Sequence, residues 1–274
     1  HEVEIPGLER HIHVTPGELY LAGNPPDGTF FAACAFLERF AGVRWLWPGA
    51  SGEVVPRVAA LHVPPTLIVE EPAFLWRDLG PGGALWGPLD KWTKERELGV
   101  TESHQREARL WARRNRFGGL RIHGGHAFGE IIPPAKYGAS NPDYFALVKG
   151  TRDCRPEGFD GKHGRQPCTT NPDVIRLAVE YARRFFAAHA DADGLSISLN
   201  DGRGFCECAR CVALDAGGAR TAADDPESGP GGAHRVITDR VITFANAVAE
   251  DVAQTHPAKR LLFFAYENYA APPV

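Results

Sequence analysis

An amide and a carboxylate, Asn200 and Asp201, close an apolar stretch running from Leu195 to Leu199. Gly202 and Gly204 follow, and then the thiols Cys206, Cys208 and Cys211. A carboxyl at the end of a strand is a candidate for proton transfer. In glycoside hydrolysis one protonated carboxyl serves the leaving oxygen, and a second group acts as base, nucleophile or stabiliser. Asp201 is the candidate general acid, with Asn200 beside it to orient substrate or catalyst. The same Asn-Asp-Gly composition also suits a plain turn, and spacing alone fits both readings.

Other strand ends supply polar groups of the same kind. Tyr266-Glu267 ends the stretch beginning at Arg260, making Glu267 the candidate second carboxylate and Tyr266 a substrate contact. His123 and His126 flank Gly124-Gly125, a pair that lets backbone or ligand approach closely. Trp76-Arg77 joins a stacking surface to a guanidinium that could clamp an acidic sugar. Aromatic faces, histidines, an arginine and carboxylates on one rim suit a carbohydrate. Each also has a structural reading: loop histidines, a solvated glutamate, an arginine paired with Asp78, a tryptophan in packing.

Three thiols in a C-x-C-x-x-C are spaced for a soft tetrahedral ion that lacks one ligand. Cys168, in another short strand, is the candidate fourth. Structural Zn2+ is one reading, and a Cys208–Cys211 or Cys168-linked disulfide is the other. Cys34 lies on an apolar helical face and Cys154 in a polar loop. Either way the cluster pins the loop after Asp201, and catalysis itself needs no cofactor.

These groups need elements to hold them. Alternation and turn residues predict strands at Glu18–Ala22, Val43–Trp47, Val54–Val55 and Leu67–Val69, with a helix over Thr29–Phe40 ending before Gly42. Strands then alternate with helices. Strands are expected at Phe74–Leu79, Gly119–His123, Gln166–Thr169, Leu195–Leu199 and Arg260–Tyr266. Helices are expected over Glu102–Phe117, near Asn141–Leu147, from Pro172 (with Asn171 as N-cap) through Ala188, and over Arg235–His256. Such alternation implies parallel pairing with right-handed crossovers. The fold class is therefore α/β: a small N-terminal α/β domain over residues 1–70, then the first five strands of a (β/α)8 barrel over residues 71–274. At ~40 residues per βα unit the chain falls short of the ~250 that a complete barrel takes. An open doubly wound sheet competes, but no glycine-rich phosphate fingerprint follows the first strand. Residues 216–233 read as a low-complexity loop.

The balance of charges excludes some partners. A net charge of -4 leaves no basic footprint for nucleic acid. No apolar run approaches the ~20 residues of a membrane span. The chain has no methionine and stops at Pro272-Pro273-Val274, so a piece of a longer protein is expected, with any signal peptide upstream.

Several segments together resemble the bacterial family catalogued as domain of unknown function 4838. They are Ala35-Phe36-Leu37-Glu38-Arg39-Phe40-Ala41-Gly42-Val43-Arg44-Trp45-Leu46-Trp47-Pro48-Gly49, the run from Asn141 to Gly150, Cys168-Thr169-Thr170-Asn171-Pro172, and Asn200-Asp201-Gly202 with its trailing thiols. The resemblance covers nearly the whole chain. It implies a relative of glycoside hydrolases, with an N-terminal unit like the α/β domain preceding the barrel in α-glucuronidases and β-hexosaminidases. It also implies a secreted or periplasmic protein. In those relatives an acidic residue at the end of strand four is a catalytic acid, the place that Asp201 takes here. Hexosaminidases carry an Asp-Glu pair there, whereas Asn200-Asp201 has one carboxylate.

The expected function is glycosidic-bond hydrolysis on a polysaccharide or glycan. A non-catalytic carbohydrate-binding barrel with a structural cysteine cluster is the alternative. A zinc enzyme is disfavoured, because an all-thiolate site is closed.

Overall fold

A computed structural model describes residues 10–24, 26–77, 101–215 and 236–273. The chain divides into two compact units, His1–Arg121 and Ile122–Val274.

In the first unit, β1 (Arg10–Thr15) is the central strand of an antiparallel sheet between β2 (Glu18–Ala22) and β5 (Thr66–Glu70). Ile12 and Val14 alternate with His11 and His13, so one face of β1 is apolar. That face packs with Ala32 and Phe36 of helix α1 (Gly28–Phe40). The strand β1 is absent from the sequence-based expectations, although its alternation is plain. A short hairpin, β3 (Arg44–Trp45) with β4 (Glu53–Val54), lies between α1 and β5.

The stretch expected as the first parallel strand is antiparallel. β6 (Trp76–Arg77) pairs with β7 (Gly118–Gly119), which follows helix α2 (Glu102–Arg114). A Cβ at Gly119 would stand 1.9 Å from the Leu75 carbonyl oxygen, so only glycine permits this approach. The expected single strand over Gly119–His123 is thereby cut in two.

The second unit holds the parallel sheet, in the order β12-β11-β8. β8 (Ile122–His123) and β12 (Arg260–Leu262) flank β11 (Gly194–Ser196), with Leu195 opposite both His123 and Leu261. A Cβ at Gly194 would meet the Ile122 Cδ1 at 2.7 Å and the Arg260 carbonyl at 3.1 Å, which explains a glycine at the crowded start of the middle strand. Between β8 and β11 come two single-turn helices, α3 (Phe128–Ile131) and α4 (Pro134–Tyr137), a hairpin of β9 (Leu147–Val148) with β10 (Thr151–Arg152), and helix α5 (Pro172–Ala188). The short helix α6 (Ala209–Ala213) and helix α7 (Thr238–Ala253) precede β12.

Local chemistry sets the long helices. The Asn171 side chain accepts from the Asp173 N–H at 2.9 Å, and Pro172 takes the first helical position, where no N–H is needed. Val174, Ala178, Val179, Ala182 and Phe186 form the buried face of α5. They join Val241, Phe244, Val248 and Val252 of α7, Leu195 of β11, and Ile197 and Leu199 just beyond it in one core.

Three of the five expected strands thus pair in parallel, and among the described residues no sheet closes on itself. The Gln166–Thr169 stretch makes a single antiparallel bridge, Pro167 to Phe145, and Pro167 has no N–H with which to extend a ladder. The helix expected near Asn141–Leu147 is a 3-10 turn at Pro142–Tyr144. Asp78, the 216–233 loop and the Glu267 side chain lie outside the described residues. Among the described residues no helix is long and apolar enough to cross a membrane.

Candidate functional site

The carboxyl ends of the three parallel strands gather a polar cluster around Asp201. Its Oδ1 accepts from the Tyr266 hydroxyl at 2.7 Å and from the Gly202 N–H at 2.8 Å. Its Oδ2 lies 3.2 Å from the Nε2 of His163. The Tyr266 hydrogen bond, the Gly202 N–H and the nearby His126 and His163 hold the Asp201 carboxyl below the ordinary carboxylate range. Burial and the hydrogen bond to Asp201 push the Tyr266 phenol up. The His126 ring lies 6.2 Å from the Tyr266 ring and 5.1 Å from that of Phe264, and its Nδ1 is 2.5 Å from the Leu199 carbonyl.

His163 and its partner Asp160 are absent from the sequence-based candidates. The Nδ1 of His163 is 2.5 Å from Asp160 Oδ2, and Asp160 Oδ1 accepts the Lys162 and His163 N–H groups, each at 2.9 Å. These backbone donors hold the Asp160 carboxyl well down, and Asp160 in turn raises the His163 pKa. With a carboxylate at each ring nitrogen, only the imidazolium donates to both. A signal existed in Asp160-Gly161-Lys162-His163-Gly164, where an aspartate followed by a glycine marks a turn that can cap its own backbone.

The segment carrying His163 is stitched to the one carrying Asp201. The Asp201 N–H donates to the Lys162 carbonyl at 2.7 Å, and the Gly164 N–H donates to the Asp201 carbonyl at 2.9 Å. Asn200, only 1% exposed, uses its Nδ2 on the carbonyls of Gly164 (2.9 Å) and Arg165 (3.3 Å). Gln166, 2% exposed, uses its Nε2 on the carbonyls of Asn200 (2.5 Å) and Gly202 (3.1 Å). The Asn200 amide, expected to orient substrate or catalyst, thus commits its Nδ2 to the backbone, while its buried Oδ1 has no hydrogen-bond partner among the described residues.

His123 packs beside Phe185 of α5 and His189, the residue that follows that helix, at ring separations of 5.4 and 6.0 Å. Trp76 and Arg77 belong to the first unit, where the Arg77 guanidinium donates to the carbonyls of Arg116 (2.9 Å) and Phe74 (2.6 Å). The backbone of Glu267 opens a 3-10 turn, Glu267–Tyr269, after β12.

The four expected thiols do converge. The Cys168 Sγ lies 3.8 Å from the Sγ atoms of both Cys208 and Cys211, and all four sulfurs are within 4.8 Å of one another. A tetrahedron with ~2.3 Å metal–sulfur bonds has edges of ~3.8 Å. A disulfide requires ~2.05 Å, and all six cysteines are free thiols. Cys168 and Cys211 are 0% exposed and Cys206 is 2% exposed, which leaves Cys208 as the half-buried member.

Donors aim at these sulfurs. The Leu147 N–H reaches Cys206 Sγ at 3.3 Å, and the Thr170 hydroxyl lies 3.2 Å from Cys211 Sγ. Hydrogen bonds from Cys168, Cys206 and the Thr170 and Thr169 hydroxyls hold the Cys211 thiol far below its ordinary range. Hydrogen bonding to Cys206 and Cys211, together with burial, pushes the Cys168 thiol up. Arg240, ion-paired to Asp215 with both side chains 3% exposed, donates to the Cys206 carbonyl at 2.5 Å. The four thiols could hold a metal ion.

A family model described as Domain of unknown function (DUF4838) matches residues 47–274. No curated protein and no solved structure matches the chain.

Proposed function

From a chain that belongs to the DUF4838 family, we propose a carbohydrate-active protein that hydrolyses a glycosidic bond, its three parallel strands forming part of a barrel wall. The observation that carries the reading is the Asp201 carboxylate. It is 39% exposed on its side chain, and Tyr266 and His163 fix it at the carboxyl ends of parallel strands. Such ends are where catalytic groups collect in (β/α)8 enzymes.

The surroundings of Asp201 revise its role. A general acid must hold a proton near neutral pH, whereas three donors here favour the anion. Asp201 suits the ionised member of a carboxylate pair, which stabilises positive charge at the reacting carbon, attacks it, or takes a proton from water. Glu267, after the next strand, is assigned the proton donor's part. Tyr266 holds Asp201 in place, and the His126 ring beside it offers a contact for sugar hydroxyls.

The four thiols are assigned a structural Zn2+. Four protein ligands complete a tetrahedron and leave no open position for substrate or water, so the ion contributes folding energy rather than chemistry. The sulfur spacing and the N–H and O–H groups directed at the sulfurs support this assignment.

A panel of aryl glycosides, including glucuronides, tests the hydrolytic reading. Wild-type protein is expected to cleave at least one member, and Asp201→Asn to lower that rate by about 10²–10⁴-fold. An unchanged rate in Asp201→Asn would remove Asp201 from the chemistry. Glycan binding without any hydrolysis by the wild type would favour the non-catalytic reading.

A further inference from the structure

We propose that the four-thiol centre is a Zn2+ clamp whose task is to set the register of His163 against Asp201, which makes His163 a positioning residue. The inference rests on the zinc assignment above and not on the hydrolytic one.

Sequence spacing first suggests it. His163 stands five residues before Cys168, and Asp201 five residues before Cys206. The two stretches meet as a parallel bridge at His163 and Asp201. At their far ends both run into the cluster of sulfurs that lie within 4.8 Å of one another. One end of this two-stranded ribbon carries the Asp160–His163–Asp201–Tyr266 chain, and the other carries the thiols.

Between those ends nothing resembles a regular ladder. The ribbon is held by two backbone hydrogen bonds at Asp201 and by the buried amides of Asn200 and Gln166. Each amide donates across the ribbon, Asn200 to 164–165 and Gln166 to 200 and 202. Side-chain stitching of this kind fixes a register only while the ends cannot slide, because an irregular pair has no repeating ladder to specify it. A metal bound by Cys168 on one stretch and by Cys206, Cys208 and Cys211 on the other blocks that sliding. The loop beyond Cys206 is anchored further, since the Glu207 N–H donates to the Leu147 carbonyl at 2.7 Å and the Lys149 N–H to Glu207 Oε2 at 2.7 Å.

Cys208→His tests the clamp, because it keeps four ligands while weakening the site. Metal analysis of the wild type comes first, with one zinc per chain expected. A metal-free protein whose four thiols react freely in the native state would overturn the zinc assignment and the clamp together, and would leave the glycosidase test untouched. Hydrogen exchange of Cys208→His is then followed at several free-zinc concentrations. At low free zinc the Asp201 and Gly164 amides are expected to lose their protection entirely and to regain it as zinc rises, while the buried Leu195 and Ile197 amides, weakened by the lost binding energy, still exchange far more slowly than free amides. Protection at Asp201 and Gly164 that ignores zinc overturns the clamp. Protection lost equally at all four overturns it too, since the metal would then hold the whole unit. The side-chain readout is the His163 titration, where Asp160, Asp201, Tyr266 and His126 are the neighbours. Its midpoint is expected to fall on zinc release and to recover on zinc return.

Discussion

His163 is a residue whose protonation the geometry dictates. Carboxylates face both ring nitrogens, at 2.5 Å from Asp160 and 3.2 Å from Asp201. Its folded-state pKa is raised above the ~6.5 of an unperturbed histidine. A raised histidine pKa contributes stability that is fully present below ~6.5 and is lost as pH rises through the folded value. NMR titration of the ring should therefore give a midpoint above that of a free histidine, and Asp160→Asn should bring it down. A wild-type midpoint at or below ~6.5 would show that the two ion pairs do not form in solution. Asp201 runs in the opposite sense. Its depressed pKa contributes stability that is present above ~3.9 and lost as pH falls through the folded value. Tyr266→Phe removes the first cause of that depression, so the carboxyl carbon of Asp201 should titrate at higher pH in the variant. An unmoved midpoint would assign the depression to the Gly202 N–H and the histidines instead.

At the scale of elements, the second unit depends on two helices packed over three short strands. Phe244 is 2% exposed and lies between the rings of Phe128 (5.7 Å) and Phe263 (6.2 Å). Phe244→Ala should cost about 3–5 kcal/mol of unfolding free energy by chemical denaturation, from lost burial and the cavity left behind. Asn171→Ala should cost about 1 kcal/mol through the N-cap, with its additional bond to Asp143 (2.8 Å) adding to the loss. A Phe244→Ala cost no larger than the cap's would mean that α7 is not packed against the sheet as described. These elements are also where the sequence was most legible. Asn171-Pro172 marks the start of α5 unambiguously, and its apolar period runs to Ala188 as observed. Legibility fails where a tertiary approach decides. Nothing local to Trp76-Arg77 shows that Gly118–Gly119 will pair with it antiparallel, because the reason lies in Gly119 tolerating the Leu75 carbonyl. Among the site residues the four thiols could be grouped from the sequence, since ligand spacing is itself a chemical signal, and their sulfurs lie close together in the structure. His163 was missed because its partner Asp201 lies in a segment that only folding brings beside it.

At the scale of the whole molecule, the family match begins at residue 47, inside the first unit, and runs through the second. Each unit nevertheless has its own core. Ile12, Val14, Ala32 and Phe36 form one, and the α5–α7–strand cluster forms the other. The four thiols, the parallel sheet and the Asp201 cluster all belong to residues 122–274. A ligand bound only by the native form stabilises that form by RT ln(1 + [L]/Kd), about 4 kcal/mol at a thousandfold excess over Kd. That gain applies to the unit that holds the ligand. A strong chelator should therefore lower the resistance of residues 122–274 to unfolding by several kcal/mol, while amide protection in β1 and β5 stays near its untreated level. Hydrogen exchange read by mass spectrometry resolves the two regions in one experiment, and excess zinc added back should restore the first. Equal loss of protection across β1, β5 and the α5–α7 core would show that the two units unfold as one, so that the thiol centre stabilises the entire chain rather than the half that carries Asp201.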